Sequence, residues 1–169
     1  MESKKFHGLK IIGSTEYVEV AGNKNIPAKI DTGADSSSIW ASDIIMEEDG
    51  TLVFSLFDKK SPYYTGERFE SRDYVVKSVR SSHGDTQIRY QVKLPLTLGE
   101  KSFETTFTLA NRSRNTFPIL IGRHTIEGVF LVDVSKTATP HSKGHSISRR
   151  LSAELKKDPY KFHQKYVKK

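Results

Sequence analysis

The chain has 169 residues, which is enough for one compact domain with a hydrophobic core and an extension. Cysteine is absent, so disulfide bonds, thiol nucleophiles and thiolate metal sites are all excluded. We find no apolar run long enough for a signal sequence or a membrane span, and we therefore expect a cytoplasmic protein.

The net charge of +7 is unevenly placed along the chain. Residues 1–135 hold 17 Lys and Arg against 18 Asp and Glu, whereas residues 136–169 hold 10 against 2. We predict a folded domain at residues 8–136 and a basic linker with a helical tail at residues 137–169. We favour a solvated tail. The alternative is a tail that contacts RNA or another anionic surface through counterion release, and we expect no nucleic-acid contact elsewhere.

The predicted elements before the tail are short β-type segments separated by turn residues. Many short strands with few helical periods predict an all-β barrel or sandwich. Gly84 accepts a positive φ, so residues 82–85 predict a hairpin turn, and residues 98–103 predict a second one. A short helical turn is expected from Arg123. In chain order, the predicted strands are 17–20, 26–30, 52–57, 72–81, 86–98, 103–110, 118–122 and 129–132.

The predicted elements of the tail are two helices. The first covers residues 148–157. Asp158 then reads as an N-cap with Pro159 at the first helical position, which predicts a second helix through residue 168.

An apolar strand, residues 26–30, leads directly into Asp31-Thr32-Gly33-Ala34. Aspartic proteases hydrolyse peptides with two carboxylates that share one proton around a water molecule, placed about 3 Å apart. Gly33 permits the close backbone approach that such a site requires, and the Thr32 hydroxyl can tie two symmetry-related loops together. Because the chain holds one such motif, a homodimer is the route to the second carboxylate. The alternative interpretation is an ordinary turn, since Asp-Thr-Gly recurs by chance.

Several ordered motifs give the chain a resemblance to a known family. They are 28–34 (Ala-Lys-Ile-Asp-Thr-Gly-Ala), 79–84, Arg89, 108–113, 118–123 (Pro-Ile-Leu-Ile-Gly-Arg) and 130–134. The chain resembles, from about Leu9 to Lys136, a retropepsin-like family that is usually labelled ATP-dependent zinc protease and is associated with ribosomal-protein glutamate ligases. The resemblance implies a retropepsin-like closed β-barrel with one short helix, to which the helical tail is added. It also implies a functional link to such a ligase.

The resemblance assigns roles to individual residues. It makes Asp31 the catalytic acid and base, Thr32 the grip between two active-site loops, and Gly33 a contact for the substrate backbone. It also implies that Asp35 and Arg123 form a pair that supports the loop. A β-hairpin flap is expected over the substrate, with Ser82, His83, Gly84 and Asp85 as its tip, although a plain surface hairpin remains the alternative.

Four arginines lie in a domain whose charge is otherwise balanced. Arg80, Arg89, Arg112 and Arg114 are candidates to contact an acidic peptide or protein substrate, such as a glutamate-rich tail, although ordinary surface charge explains most such residues. We expect no metal and no cofactor, because the chain has neither a His-Glu-x-x-His motif nor a Gly-x-x-x-x-Gly-Lys phosphate loop.

Three functional hypotheses follow from these observations. The favoured one is a homodimeric aspartic peptidase. The alternative is a non-catalytic retropepsin-like module for dimerisation or peptide binding, and metal-dependent hydrolysis ranks third.

Overall fold

The structure is a computed structural model that describes residues 8–80, 86–139 and 144–167. The chain divides into two units, residues 1–139 and residues 140–169. Within the described residues, the first unit consists of strands with one short helix, and the second unit consists of helices.

The first unit begins with β1 (Lys10–Ile12), β2 (Thr15–Val20), β3 (Asn23–Asp31) and β4 (Ser37–Met46). It continues with β5 (Leu52–Leu56), β6 (Arg68–Ser71), β7 (Tyr74–Arg80), β8 (Thr86–Leu98) and β9 (Lys101–Ala110). The last elements are β10 (Ile119–Gly122), the helix α1 (Arg123–Ile126) and β11 (Phe130–Val132).

Six strands close into a barrel. Their order is β10-β3-β2-β8-β9-β4, and β4 returns to pair with β10, which completes the ring. Strands β5 and β6 extend outward from β4, and β7 pairs antiparallel with β8. Strands β1 and β11 form a separate parallel pair. The predicted all-β barrel with one short helix and a helical C-terminal part is confirmed.

The core is built from strands whose apolar residues alternate with polar ones. In β3, Ile26, Ala28 and Ile30 are buried while Lys29 points outward. Successive side chains on a strand point to opposite faces, so this alternation places one face inside the barrel. Fully burying one Ile side chain contributes about 1.5–3 kcal/mol.

Strand β4 was not among the predicted strands. It begins with Ser37 and Ser38, which are buried although serine usually favours turns. The Ser38 hydroxyl donates to the carbonyl oxygen of Thr108 at 3.3 Å, and the Thr108 hydroxyl donates to the carbonyl oxygen of Ser37 at 3.1 Å. These hydrogen bonds satisfy the polar groups inside the barrel and let the strand start soon after the Asp31-Thr32-Gly33-Ala34 motif.

The first unit extends beyond the predicted domain end at residue 136. The N–H of Ala138 donates to the Thr15 carbonyl oxygen at 3.0 Å, and that of Thr139 donates to the Thr15 hydroxyl at 3.2 Å. Thr139 is buried. Residues 137–139 therefore pack against the barrel instead of belonging to a free linker.

The second unit contains α2 (Gly144–Lys157) and α3 (Pro159–Tyr166). α2 begins four residues earlier than predicted. The predicted N-cap is present, because the Asp158 carboxylate accepts from the N–H of Lys161 at 3.0 Å. Glu154 of α2 binds the Lys165 ammonium at 2.7 Å and the Tyr166 hydroxyl at 3.0 Å, which joins the two helices.

Candidate active site

Asp31 is the last residue of β3, where the strand leaves the barrel wall. Its carboxylate Oδ1 accepts from the N–H groups of Gly33 at 3.1 Å and Ala34 at 3.2 Å. Both donors belong to the following turn, so the turn fixes the direction of the carboxylate. Asp31 is half-buried, whereas Thr32 and Gly33 are exposed.

Strand β10 and helix α1 lie against the loop that follows Asp31. Gly122 pairs with Asp31 in the parallel ladder. The N–H of Arg123 donates to the Ala34 carbonyl oxygen at 2.8 Å, and that of His124 donates to the Asp35 carbonyl oxygen at 3.2 Å. A Cβ atom at Gly122 would lie 2.5 Å from the Ser36 carbonyl carbon. Glycine is therefore required at this position by the closeness of the two backbones.

The predicted loop-supporting pair is in contact. Arg123 Nη2 lies 2.6 Å from Asp35 Oδ1, with side chains that are 58% and 64% exposed. An exposed ion pair of this kind contributes about 0–1 kcal/mol. Most of the support for the loop therefore comes from its backbone hydrogen bonds, and the functional role of the pair stays a prediction.

A buried hydroxyl cluster beneath the loop was not found by sequence reasoning. The Ser37 Oγ atom accepts from the N–H of Gly122 at 3.0 Å and lies 2.7 Å from the Thr125 hydroxyl. Thr125 in turn lies 3.0 Å from the Thr105 hydroxyl. Serine and threonine are common in turns as well as in cores, so their residue types gave no signal for this cluster.

The arms of the predicted flap are β7 and β8, which pair from Tyr74 opposite Val92 to Arg80 opposite Thr86. The predicted tip, Ser82 to Asp85, lies outside the described residues. For Arg80, a predicted contact for an acidic substrate, the structure describes the backbone and not the side chain.

A cavity of about 500 Å³ lies between the flap arms and the loop that follows Asp31. The loop contributes residues 33–36, and the charged side chains around the cavity include Lys77, Arg89 and Arg112. Arg89 and Arg112 were predicted as contacts for an acidic substrate. Lys77 was not, because a single lysine in a predicted strand belongs to no recognisable motif. Arg114 is exposed and does not line the cavity.

Two of these cations, Arg89 and Arg112, have lowered pKa values. Burial lowers the pKa of Arg112, and the neighbouring Arg89 lowers that pKa further, while the Asp31 carboxylate acts in the opposite direction. Burial also lowers the pKa of Arg89. These effects show that both guanidinium groups are partly removed from water and that Arg112 lies in the field of Asp31.

The family label mentions zinc, and a zinc site requires a particular set of protein ligands. Across residues 8–80, 86–139 and 144–167, no group of three or more His, Asp or Glu side chains could hold a metal ion. None of the helices in the described part of the chain is long and apolar enough to cross a membrane.

The closed barrel, the single Asp-Thr-Gly turn at its wall and the bracing strand β10 with α1 define a retropepsin-like protein. A family model described as RimB-like, "Retropepsin-like aspartic endopeptidase RimB", matches residues 11–143. The chain belongs to this family.

Curated relatives carry a different name. A "Probable alpha-L-glutamate ligase" of Parasynechococcus marenigrum is 32% identical over 73% of this chain, and one of Shewanella pealeana is 31% identical over 85%. These matches cover 28% and 32% of the respective relatives, so the chain spans less than a third of their length.

A solved structure shares the fold. The Legionella pneumophila protein Lpg0085, described as of unknown function (DUF785), aligns with a TM-score of 0.60 and 32% identity. The alignment covers 77% of this chain and 97% of that protein.

Proposed function

We propose that the chain hydrolyses peptide bonds as an aspartic endopeptidase, with two copies each supplying one Asp31 to a shared site. The observation that carries the proposal is the position of Asp31, whose carboxylate is held by the N–H groups of Gly33 and Ala34 at the end of a barrel strand. The exposed Thr32 beside it supports a contact between two such loops.

In the proposed reaction, two Asp31 carboxyl groups hold one proton and one water molecule between them. The ionised carboxylate takes a proton from the water molecule as the water oxygen attacks the peptide carbonyl carbon. The protonated partner donates its proton to the carbonyl oxygen. The tetrahedral adduct then collapses. Its C–N bond breaks, and the amine leaves with a proton from the carboxylic acid formed in the first step. The other Asp31, now ionised, takes a proton from one hydroxyl of the adduct as the carbonyl group re-forms, which restores the starting protonation of the pair.

We further propose that the substrate is acidic, with glutamate-rich protein tails as the leading candidate. The cations around the cavity beside Asp31 support this choice. Relatives named probable alpha-L-glutamate ligases contain a segment similar to this chain, and ligation of glutamate creates acidic products. The proposal includes a functional link to a ribosomal-protein glutamate ligase. It also includes a cytoplasmic location, because a chain without cysteine tolerates a reducing compartment.

The decisive experiment compares the wild-type chain with Asp31→Asn on a broad peptide library between pH 4 and 8. Asp43→Asn is the matched control, because Asp43 is exposed and its positive φ of 50° is tolerated by Asn. We expect cleavage by the wild type and the control, and loss of cleavage in Asp31→Asn. Equal cleavage by all three chains, or by none, would contradict the proposal.

A further inference from the structure

The second unit has no part in the proposed hydrolysis, and its charge is one-sided. Residues 140–169 hold 9 Lys and Arg against 2 Asp and Glu. Both acidic side chains are already paired inside the unit, since Glu154 lies 2.7 Å from Lys165 Nζ and Asp158 lies 3.6 Å from Lys161 Nζ. The acidic groups of the unit are therefore committed to α3, and the cations of α2 are left over.

Four exposed cations of α2 form two rows along the helix. They are Arg149, Arg150, Lys156 and Lys157, and none of the ion pairs found within the described residues includes them. Residues seven positions apart share a helix face, so each row spans about 10 Å at a rise of about 1.5 Å per residue. Arg150 lies in the field of Glu154, whose pKa it helps to lower. The row of Arg149 and Lys156 is therefore the less compensated one.

The row of Arg149 and Lys156 borders a recess of about 420 Å³ on the surface of α2. The other lining residues are Ser148, Ser152 and Ala153, which are short and exposed. Short side chains let a ligand come close to the helix between the two cations. Guanidinium and ammonium groups form charge-assisted hydrogen bonds with phosphate oxygens, and serine hydroxyls also donate to them. The recess therefore suits a chain of phosphates.

The same face of α2 offers little to a lipid bilayer. A helix that lies on a membrane presents large apolar side chains beside its cations. Leu151 is half-buried, and Phe162 stacks against Tyr166 with 4.8 Å between the ring centroids. Leu155 is 43% exposed, but as the neighbour of Lys156 it is turned about 100° around the helix from that residue. The recess itself is lined by polar and small residues, which favours a polyanion in water over a membrane.

Helix α3 adds an exposed aromatic ring close to these cations in sequence. Tyr160 is 74% exposed and lies three residues after Lys157 and directly before Lys161. Tyr166 is engaged inside the unit instead, because its hydroxyl donates to Glu154 at 3.0 Å. An exposed aromatic ring among cations is typical of surfaces on which unpaired bases stack. Among polyanions, nucleic acid has both the phosphates and the bases that these groups recognise.

We propose that the second unit binds single-stranded RNA, in place of the solvated tail that the sequence favoured. Arg149 and Lys156, helped by Ser148 and Ser152, bind phosphates, and Tyr160 stacks on a base. Stacking requires unpaired bases, and single-stranded nucleic acid in cells is mostly RNA because DNA is held as a duplex. Contacts to phosphates and base faces do not read sequence, so the surface accepts many sequences.

The salt dependence of RNA binding tests the role of the cations. A fluorescein-labelled oligouridine of about 12 nucleotides is titrated with the whole chain between about 50 and 200 mM salt, and fluorescence anisotropy gives the Kd. We expect log Kd to change with log salt with a slope of about 2 to 3 in magnitude. The double variant Arg149→Gln with Lys156→Gln should lower this magnitude by about 1.4 and weaken binding at least about tenfold at low salt.

The matched control removes the same charge from the barrel unit. Lys59→Gln with Lys60→Gln changes two exposed lysines that lie outside the second unit. Glutamine is a good helix former, so α2 persists in the tail variant, and circular dichroism at 222 nm checks this. Absence of RNA binding at low salt, or equal weakening by the two double variants, would overturn the proposal.

Two variants of Tyr160 test stacking separately from charge. Tyr160→Ala should weaken RNA binding about fivefold or more while leaving the salt slope unchanged. Tyr160→Phe keeps the ring and should bind as the wild type does. If both variants weaken binding equally, or if neither does, the stacking role of Tyr160 is overturned.

Competition identifies the partner. Unlabelled oligouridine, an RNA duplex of the same length, hexaglutamate, and vesicles of phosphatidylserine and phosphatidylcholine are used to displace the labelled oligouridine. We expect unlabelled oligouridine to act at the lowest concentration of negative charge. Stronger displacement by any of the others would overturn the proposal in favour of that partner. Asp31→Asn should bind RNA as the wild type does, so this proposal and the proposed hydrolysis stand or fall separately.

Discussion

Gly122 at the end of β10 pairs with Asp31 at the end of β3, so a residue without a side chain is the backbone partner of the candidate catalytic residue. The pairing brings the backbone of β10 against the loop at Ala34 and Ser36. The loop is thus held by backbone contacts, which require glycine on one side.

We predict that Gly122→Ala destabilises the protein by about 1–3 kcal/mol, as overpacking of a close contact usually does. The backbone at Gly122, with φ −84° and ψ 169°, is acceptable to alanine, so the effect comes from the collision of the new Cβ with Ser36 and Ala34. Urea unfolding measures the change. Gly33→Ala is the control, since a Cβ there meets only Asp31 Oδ1 at an ordinary 3.4 Å; an equal loss in both variants would contradict the explanation.

Ser37→Ala is predicted to cost about 1–3 kcal/mol, because it removes the acceptor for the Gly122 N–H and a partner of Thr125 in a buried position. Thermal or urea unfolding gives the value. Ser102→Ala, which removes an exposed hydroxyl bonded to Thr97, is the matched control and should change stability far less. Similar small effects in the two variants would show that the hydroxyl cluster does not support the loop.

The Asp35–Arg123 pair is predicted to contribute little to stability. A double-mutant cycle with Asp35→Asn and Arg123→Gln should give a coupling energy of about 1 kcal/mol or less, since both side chains are more than half exposed. The coupling should fall further as salt is added. A coupling well above this range, unaffected by salt, would mean that the pair is buried in the active assembly.

The N-cap of α3 gives a prediction for the tail. Asp158→Ala removes the acceptor for the Lys161 N–H and should cost about 1 kcal/mol of helix stability, whereas Asp158→Asn keeps a capping side chain. Far-UV circular dichroism at 222 nm reports this change, because α2 and α3 contain most of the helical residues in the described chain. Equal loss of signal in both variants would contradict capping by the side chain.

The position of the candidate site could be predicted because its signals are local in sequence. An apolar strand followed by Asp31-Thr32-Gly33 predicts a strand end with a tight turn, and the structure has this arrangement at β3. The long strand β8 and the capped helix α3 were predictable for the same reason, since alternation and capping act over a few residues.

The parts that escaped prediction depend on partners distant in sequence. Ser37 is satisfied by Gly122 and Thr125, which lie far along the chain, so its burial has no local signal. The position of Lys77 at the cavity depends on the strand register that places it opposite Arg89, which the sequence around Lys77 does not indicate. Thr139 joins the first unit through contacts with Thr15.

The most direct test of the central claim mixes wild-type and Asp31→Asn chains in equal amounts, under conditions that allow subunits to exchange, and measures cleavage of an acidic peptide. If each site needs one Asp31 from each of two copies, random pairing leaves about one quarter of the dimers intact, and activity per total chain falls to about one quarter of the wild-type value. A fall only to one half would show that each chain works alone and would contradict the shared two-carboxylate site.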